Sequence, residues 1–85
     1  MTAPTLPAMY DRQSTGARLR EIRTQQGKTQ ADVAWLSGIT QAALSNYENG
    51  KRDIPLRSLI ALAGVLSVAP GDLVPALRDY GDAAG

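Results

Sequence analysis

Between Thr40 and Gly50 the chain reads TQAALSNYENG, and Gln41, Ala42, Ser45, Asn46 and Asn49 are residue types that recognise nucleobase edges. A Gln or Asn amide can bond adenine through two hydrogen bonds, a Ser hydroxyl donates or accepts, and an Ala methyl can touch the methyl of thymine. Their spacing gathers them on one side of a helix. At about 100° per residue, Gln41, Ala42, Ser45, Asn46 and Asn49 fall between about 0° and 140°, whereas Ala43, Leu44 and Tyr47 fall between about 200° and 300°. The first set is neutral, small and rich in amides; the second is apolar. An exposed helix face kept only for solubility usually carries Lys and Glu. The composition of this face therefore points to base reading, and its small side chains allow a deep approach to a groove.

A helix with that task has to be held by others, and Thr29 to Gly50 supplies a pair. Thr29 with Asp32 three residues later forms a capping-box-like start, Gly38 is a left-handed stop, and Thr40 caps a second helix that runs to about Asn49. This is the pattern of a helix-turn-helix. In the first of the two helices, Gln30 to Ser37, the wheel groups Val33, Leu36 and Ser37, with Ala34 flanking, and sends Trp35 to the opposite side. Ile39 drops into the core between the helices. Three roles are open to an exposed Trp35: anchoring a protein partner, accepting cover from Leu6, Met9 or Tyr10, or none beyond the scatter of apolar residues normal on a surface. Gln30, in the first turn, is placed to meet a phosphate together with the free backbone N–H groups.

The flanking segments complete an all-α bundle of about five short helices. A helix should begin near Ser14 or Thr15 and stop before Gly27, with Ala17, Leu19, Ile22 and Gln26 at helical spacing. Arg23 shares the inward side with Leu19 and Ile22, so it needs either a carboxylate or a route to water. Glu48, near the inner face of the reading helix, is the acid that can serve, and an Arg23–Glu48 pair is the expectation. After Gly50, Lys51 and Arg52 form a basic turn suited to phosphate contact, with a simply solvated loop as the alternative. Pro55 starts a fourth helix to about Ser67, with Leu59, Leu62, Ala63 and Leu66 inward. A last helix is expected from Pro70 to about Asp79, short, kinked or broken near Val74 because of Pro75. Residues 1–13 read as a flexible arm, 14–79 as the folded domain and 80–85 as a frayed tail.

Composition limits the alternatives. The 85 residues include no cysteine and no histidine, which removes disulfides, thiolate sites and the commonest metal ligand, so neither a metal nor a cofactor is expected. No nucleophile–base pairing or phosphate-cradling glycine loop supports an enzyme. The longest apolar run, Leu59 to Leu66, is far too short for a membrane span, and residues 1–10 do not resemble a secretory signal, so a cytoplasmic protein is expected. The formal charge is only +1, but it is uneven: residues 11–57 carry eight basic groups against five acidic, residues 58–85 one against three. The motif lies at the positive end, compatible with phosphate docking.

With these residues in place, the segments RLREIRTQQGKTQADVA and SGITQAALSNYENGKR, followed by P-x-x-x-L-x-x-L-A-x-x-L-x-V, resemble the Cro and lambda-repressor-like family, also called xenobiotic-response-element regulators. The resemblance covers about residues 16–73. It implies a transcriptional regulator, a repressor or autoregulator rather than an activator, that binds operator DNA as a homodimer, with half-sites roughly 34 Å apart. It also implies roles by position: Gln41, Ala42, Ser45 and Asn46 face bases, Gln30, Asn49, Lys51 and Arg52 contact phosphates, and Arg23 with Glu48 ties the first helix to the reading helix. The sequence departs from the family pattern where Ala42 replaces a longer polar reader, where Ala69 replaces a hydroxyl cap, and where Pro75 interrupts a region some relatives use to dimerise. A protein-interaction module, engaging a partner through Trp35 or the C-terminal helices, is the competing function.

Overall fold

The computed structural model describes residues 11–74, and over that range the chain forms five helices and no strand. They are α1 (Arg12–Gln25), α2 (Gln30–Ser37), α3 (Gln41–Glu48), α4 (Leu56–Val65) and α5 (Pro70–Leu73). Apart from α1 they are no longer than 10 residues, too short to persist alone in water, so their stability comes from shared burial.

Each start is set by local chemistry. Thr29 and Thr40 accept hydrogen bonds from the Asp32 and Ala43 amides at 3.1 and 3.0 Å, as side-chain caps of α2 and α3. Asp11 accepts from the Gln13 amide at 2.9 Å and from the Ser14 hydroxyl at 3.0 Å. These two bonds hold its carboxyl below the ordinary carboxylate range, the backbone bond contributing most. Asp11 thereby starts α1 at Arg12, earlier than the expected Ser14 or Thr15, so residues 11–13 belong to the folded unit; residues 1–10 and 75–85, with the remainder of the expected arm, last helix and tail, lie outside the described range. Ala69 has no hydroxyl to offer α5, and the Asp72 carboxylate instead accepts from the Ala69 amide at 3.1 Å. Val74, ahead of Pro75, leaves the helical region with φ −121° and ψ 85°, in keeping with the bias against helix in a residue before proline.

The stops share one geometry. After α1 to α4, a residue in the left-handed region is followed by an amide that bonds the carbonyl five residues back: Lys28 to Arg23, Ile39 to Ala34, Lys51 to Asn46 and Val68 to Ala63, at 2.9–3.1 Å. Glycine fills three of the left-handed positions, and Ser67, at φ 58°, fills the fourth.

In the packing, α3 lies against α1 and α2, α4 against α2 and α5, and α5 closes onto α1. Leu19, Val33, Leu44, Leu62, Leu66 and Leu73 are the fully buried centre. The α4 stripe Leu59, Leu62, Ala63 and Leu66 is inward as expected. Three inward assignments are corrected. Ala17 and Gln26 are exposed, and the buried face of α1 is instead Thr15, Gly16, Leu19, Ile22 and Arg23. Ala17 lies about 200° from Leu19 on the wheel and cannot share its stripe. Leu36 is 64% exposed, because the buried side of α2 centres on Val33 and Ala34, and Leu36 falls on the far flank from Ala34.

Two changes test this account. Ser67→Gly removes the steric penalty of a Cβ in the left-handed region, which outweighs the added freedom of the unfolded chain, and should raise the unfolding free energy by about 0.5–1 kcal/mol in urea titrations. Thr15 is buried with no hydrogen-bond partner for its Oγ1. Thr15→Val, the same shape without the hydroxyl, should therefore stabilise by about 1 kcal/mol in the same assay.

Candidate nucleic-acid interface

The outward side of α3 carries the residues singled out for base reading. Gln41 and Ala42 are exposed and Ser45 and Asn46 are half-buried, while Leu44 and Tyr47 on the opposite side are buried. Asn49 follows one turn after Ser45 and donates to its hydroxyl from Nδ2 at 3.4 Å, a long and weak bond that still leaves both groups at the surface. The face contains no charged group: the one charged residue of α3, Glu48, is turned inward and is only 5% exposed.

Glu48 is the point at which three elements meet. Arg23 of α1, itself 9% exposed, donates from Nε to one carboxylate oxygen at 2.6 Å and from Nη2 to the other at 2.9 Å, a two-pronged ion pair. Its remaining terminal nitrogen, Nη1, donates to the Lys28 carbonyl at 2.8 Å in the loop before α2. Gln30, the first residue of α2, adds a third donor to Glu48 at 3.0 Å. The hydrogen bonding to Glu48 holds the Arg23 guanidinium above its ordinary pKa against the opposing effect of burial. A raised value keeps Arg23 charged at every pH below the usual arginine range, so its contribution is lost only in strong alkali. The structure thus brings together the pair expected from the helix wheel. It also engages the Gln30 amide on Glu48, a use that the sequence reading, which assigned Gln30 to phosphate, did not foresee.

A second feature of the α1–α3 junction is a close backbone approach. A Cβ placed on Gly16 would lie 2.1 Å from the Tyr47 carbonyl oxygen and 2.9 Å from that of Glu48, so only glycine permits α1 to cross the end of α3 here. The basic turn follows at once, with Lys51 and Arg52 both exposed. Beside it lies an open cleft of about 440 Å³ lined by Arg12, Tyr47, Lys51, Arg52, Asp53 and Pro55. The sequence places Arg12 in the arm as its one cation, too little by itself to favour a phosphate-gripping arm over a plain flexible terminus; the structure puts it instead in the first turn of α1, directly after the Asp11 cap.

Trp35, as expected, points away from the core and is 83% exposed, with Leu36 beside it. Among the described residues, no group of His, Cys, Asp or Glu is placed to hold a metal ion, and no helix is long and apolar enough to cross a membrane.

This arrangement, a capped pair of short helices with a tight glycine turn and a braced outer face, is that of a helix-turn-helix. The helix-turn-helix family model matches residues 19–73, and the chain belongs to that family. Among curated proteins it is similar to the HTH-type transcriptional regulator DdrOP3 of Deinococcus deserti, 34% identical over 76% of this chain and 50% of that protein. Among solved structures it is similar to the restriction-modification controller protein C.AhdI from Aeromonas hydrophila, with a TM-score of 0.72 and 36% identity over 74% of this chain and 96% of that one. It is also similar to the P22 c2 repressor protein, solved in complex with a synthetic operator, with a TM-score of 0.70 and 26% identity over 75% of this chain and 97% of that one. The chain spans 40–50% of the length of four curated relatives and 82% of a fifth.

The buried pair predicts an asymmetric mutational response. Arg23→Ala leaves Glu48 buried without its charge partner and should cost about 3–5 kcal/mol of unfolding free energy. Arg23→Met combined with Glu48→Leu removes both charges and should recover a large part of that loss, as measured by urea denaturation followed by circular dichroism.

Proposed function

We propose that this protein is a sequence-specific DNA-binding transcriptional regulator that inserts α3 into the major groove of operator DNA and acts as a homodimer, repressing or autoregulating rather than activating. The observation that carries this reading is the outward face of α3, uncharged and lined by Gln41, Ala42, Ser45 and Asn46, on a helix fixed from behind by the buried Arg23–Glu48 pair. Neutral amides and hydroxyls discriminate between base pairs without binding every phosphate they meet. Gln30, Asn49, Lys51 and Arg52 flank the face and would carry the backbone contacts. One hydrogen of the Gln30 amide is engaged on Glu48, and the amide has a second to offer to a phosphate. The names of the relatives, a transcriptional regulator, a controller protein and a repressor, support the same reading. The protein so read is cytoplasmic, associated with the nucleoid when bound, and not an enzyme.

A second reading has one observation in its favour: Trp35 and Leu36 expose two large apolar side chains side by side on α2, a surface suited to a protein partner. A gel shift against fragmented genomic DNA, run beside a light-scattering mass, separates the two. A shift with the protein alone supports the regulator; a monomer with no shift favours the interaction module.

Genomic fragments enriched by the protein supply the operator for a sharper test. Each good base contact discriminates by about 1–3 kcal/mol, so Gln41→Ala with Asn46→Ala should abolish preference for the operator over a scrambled duplex while weak, salt-sensitive binding survives. Preference unchanged at matched salt would remove α3 from the role of reading helix.

A further inference from the structure

The cleft beside the α3–α4 turn is built by three parts of the chain that the fold holds rigidly together. Arg12 comes from the first turn of α1, Tyr47 from the last turn of α3, and Lys51, Arg52, Asp53 and Pro55 from the turn that follows. The turn is packed directly on α1: a Cβ on Gly50 would lie 2.8 Å from Gln13 Cγ and 3.0 Å from its Cα. The Gly16 crossing fixes the same end of α1 on the α3 carbonyls. Arg12 is therefore held next to Lys51 and Arg52 by backbone packing. Three cations and one carboxylate line the cleft, and Tyr47 forms part of its wall.

The carboxylate is Asp53, whose Oδ1 lies 3.9 Å from Arg12 Nη1. That separation exceeds the 2.7–2.9 Å typical of a charge-assisted hydrogen bond, and both side chains are more than half exposed. A pair of this kind stabilises the fold little and exchanges readily for a better partner. A phosphate diester is such a partner, because a guanidinium fork matches two phosphate oxygens and two more cations stand beside it.

We propose that this cleft is a DNA backbone-phosphate site in which Arg12, at the start of α1, grips a phosphate together with Lys51 and Arg52, and that Asp53 holds Arg12 in place in the free protein and competes with the phosphate. The proposal rests on the DNA-binding reading above. It assigns Arg12 to affinity rather than to sequence choice, and makes Asp53 a brake on binding.

The test is a fluorescence-anisotropy titration of a labelled mixed-sequence duplex of about 30 base pairs, long enough for two half-sites, over a series of salt concentrations. Arg12→Gln should weaken binding roughly five-fold and lower the slope of log affinity against log salt by about 1, with the same loss on the enriched operator, and Arg12→Lys should restore part of it. Asp53→Asn should tighten wild-type binding roughly two- to five-fold and tighten the Arg12→Gln variant less. Arg12→Gln indistinguishable from wild type in affinity and slope, with Lys51→Gln lowering both, would overturn the proposal and leave the regulator reading standing. No binding of any duplex by the wild-type protein would overturn both. An amide chemical-shift titration with inorganic phosphate covers the other source of this chemistry: saturation of the cleft residues at submillimolar phosphate would make it a free-anion site and overturn the backbone assignment.

Discussion

Burying an arginine and a glutamate in a domain this small is tolerable only if nearly every hydrogen-bonding position on both is used, and that requirement constrains the whole molecule. Glu48 takes two bonds from Arg23 and one from Gln30, and Arg23 spends its remaining terminal nitrogen on the Lys28 carbonyl. The partners lie on α1, on the loop that follows it, at the start of α2 and at the end of α3. A shift of any of these by about an ångström would leave a buried ionic group short of a partner, at a cost of several kcal/mol. The pair therefore contributes a fixed geometry more than net stability. Its direct consequence is the orientation of α3, whose outer face is aimed by a charge locked behind its last turn.

The same helix end is pinned a second time by its backbone. Gly16 and Arg23 are two turns apart on one face of α1, and both engage Glu48, the first at its carbonyl and the second at its carboxylate. One residue of α3 is thus gripped at main chain and side chain by a single partner helix. α3 is only eight residues long and could not hold a helical shape alone, so this grip, the Thr40 cap and the apolar contacts of Leu44 and Tyr47 together hold it in place.

What the sequence made legible was whatever chemistry is local or periodic. Thr29, Gly38 and Thr40 announce the helix pair because a cap or a left-handed stop depends on a few adjacent residues. The Arg23–Glu48 pair was readable because an inward arginine demands an acid and the wheel offered one. The misses share a different cause. Gly16 looks like a poor helix residue until α3 is laid across it, and Arg12 looks like part of a loose arm until the turn after α3 is packed on Gln13. Leu36 is apolar enough to pass for core, and only the actual cover given to α2 by α3 and α4 shows that it has none. Ser67 adopts a conformation that favours glycine, which the pairing of Val68 with Ala63 imposes and its own side chain does not predict. Each of these depends on which element crosses which, information that periodicity within one helix does not contain.

The distribution of charge is the last consequence of the same constraint. With Glu48 and Arg23 paired inside, a group of charges stands just beyond the end of α3: Lys51, Arg52 and Asp53 in the turn and Arg12 in the same cleft. The reading face itself stays neutral. Long-range attraction, which acts on any nucleic acid and fades with salt, would under the proposed reading be housed in residues separate from those assigned to base edges. Had Glu48 faced outward, it would have repelled phosphates from the groove; had Arg23 done so, it would have bound them indiscriminately. Burying the pair keeps both charges off the outer face of α3, so that, on the function proposed above, affinity could change through the turn and specificity through α3 with little interference between them.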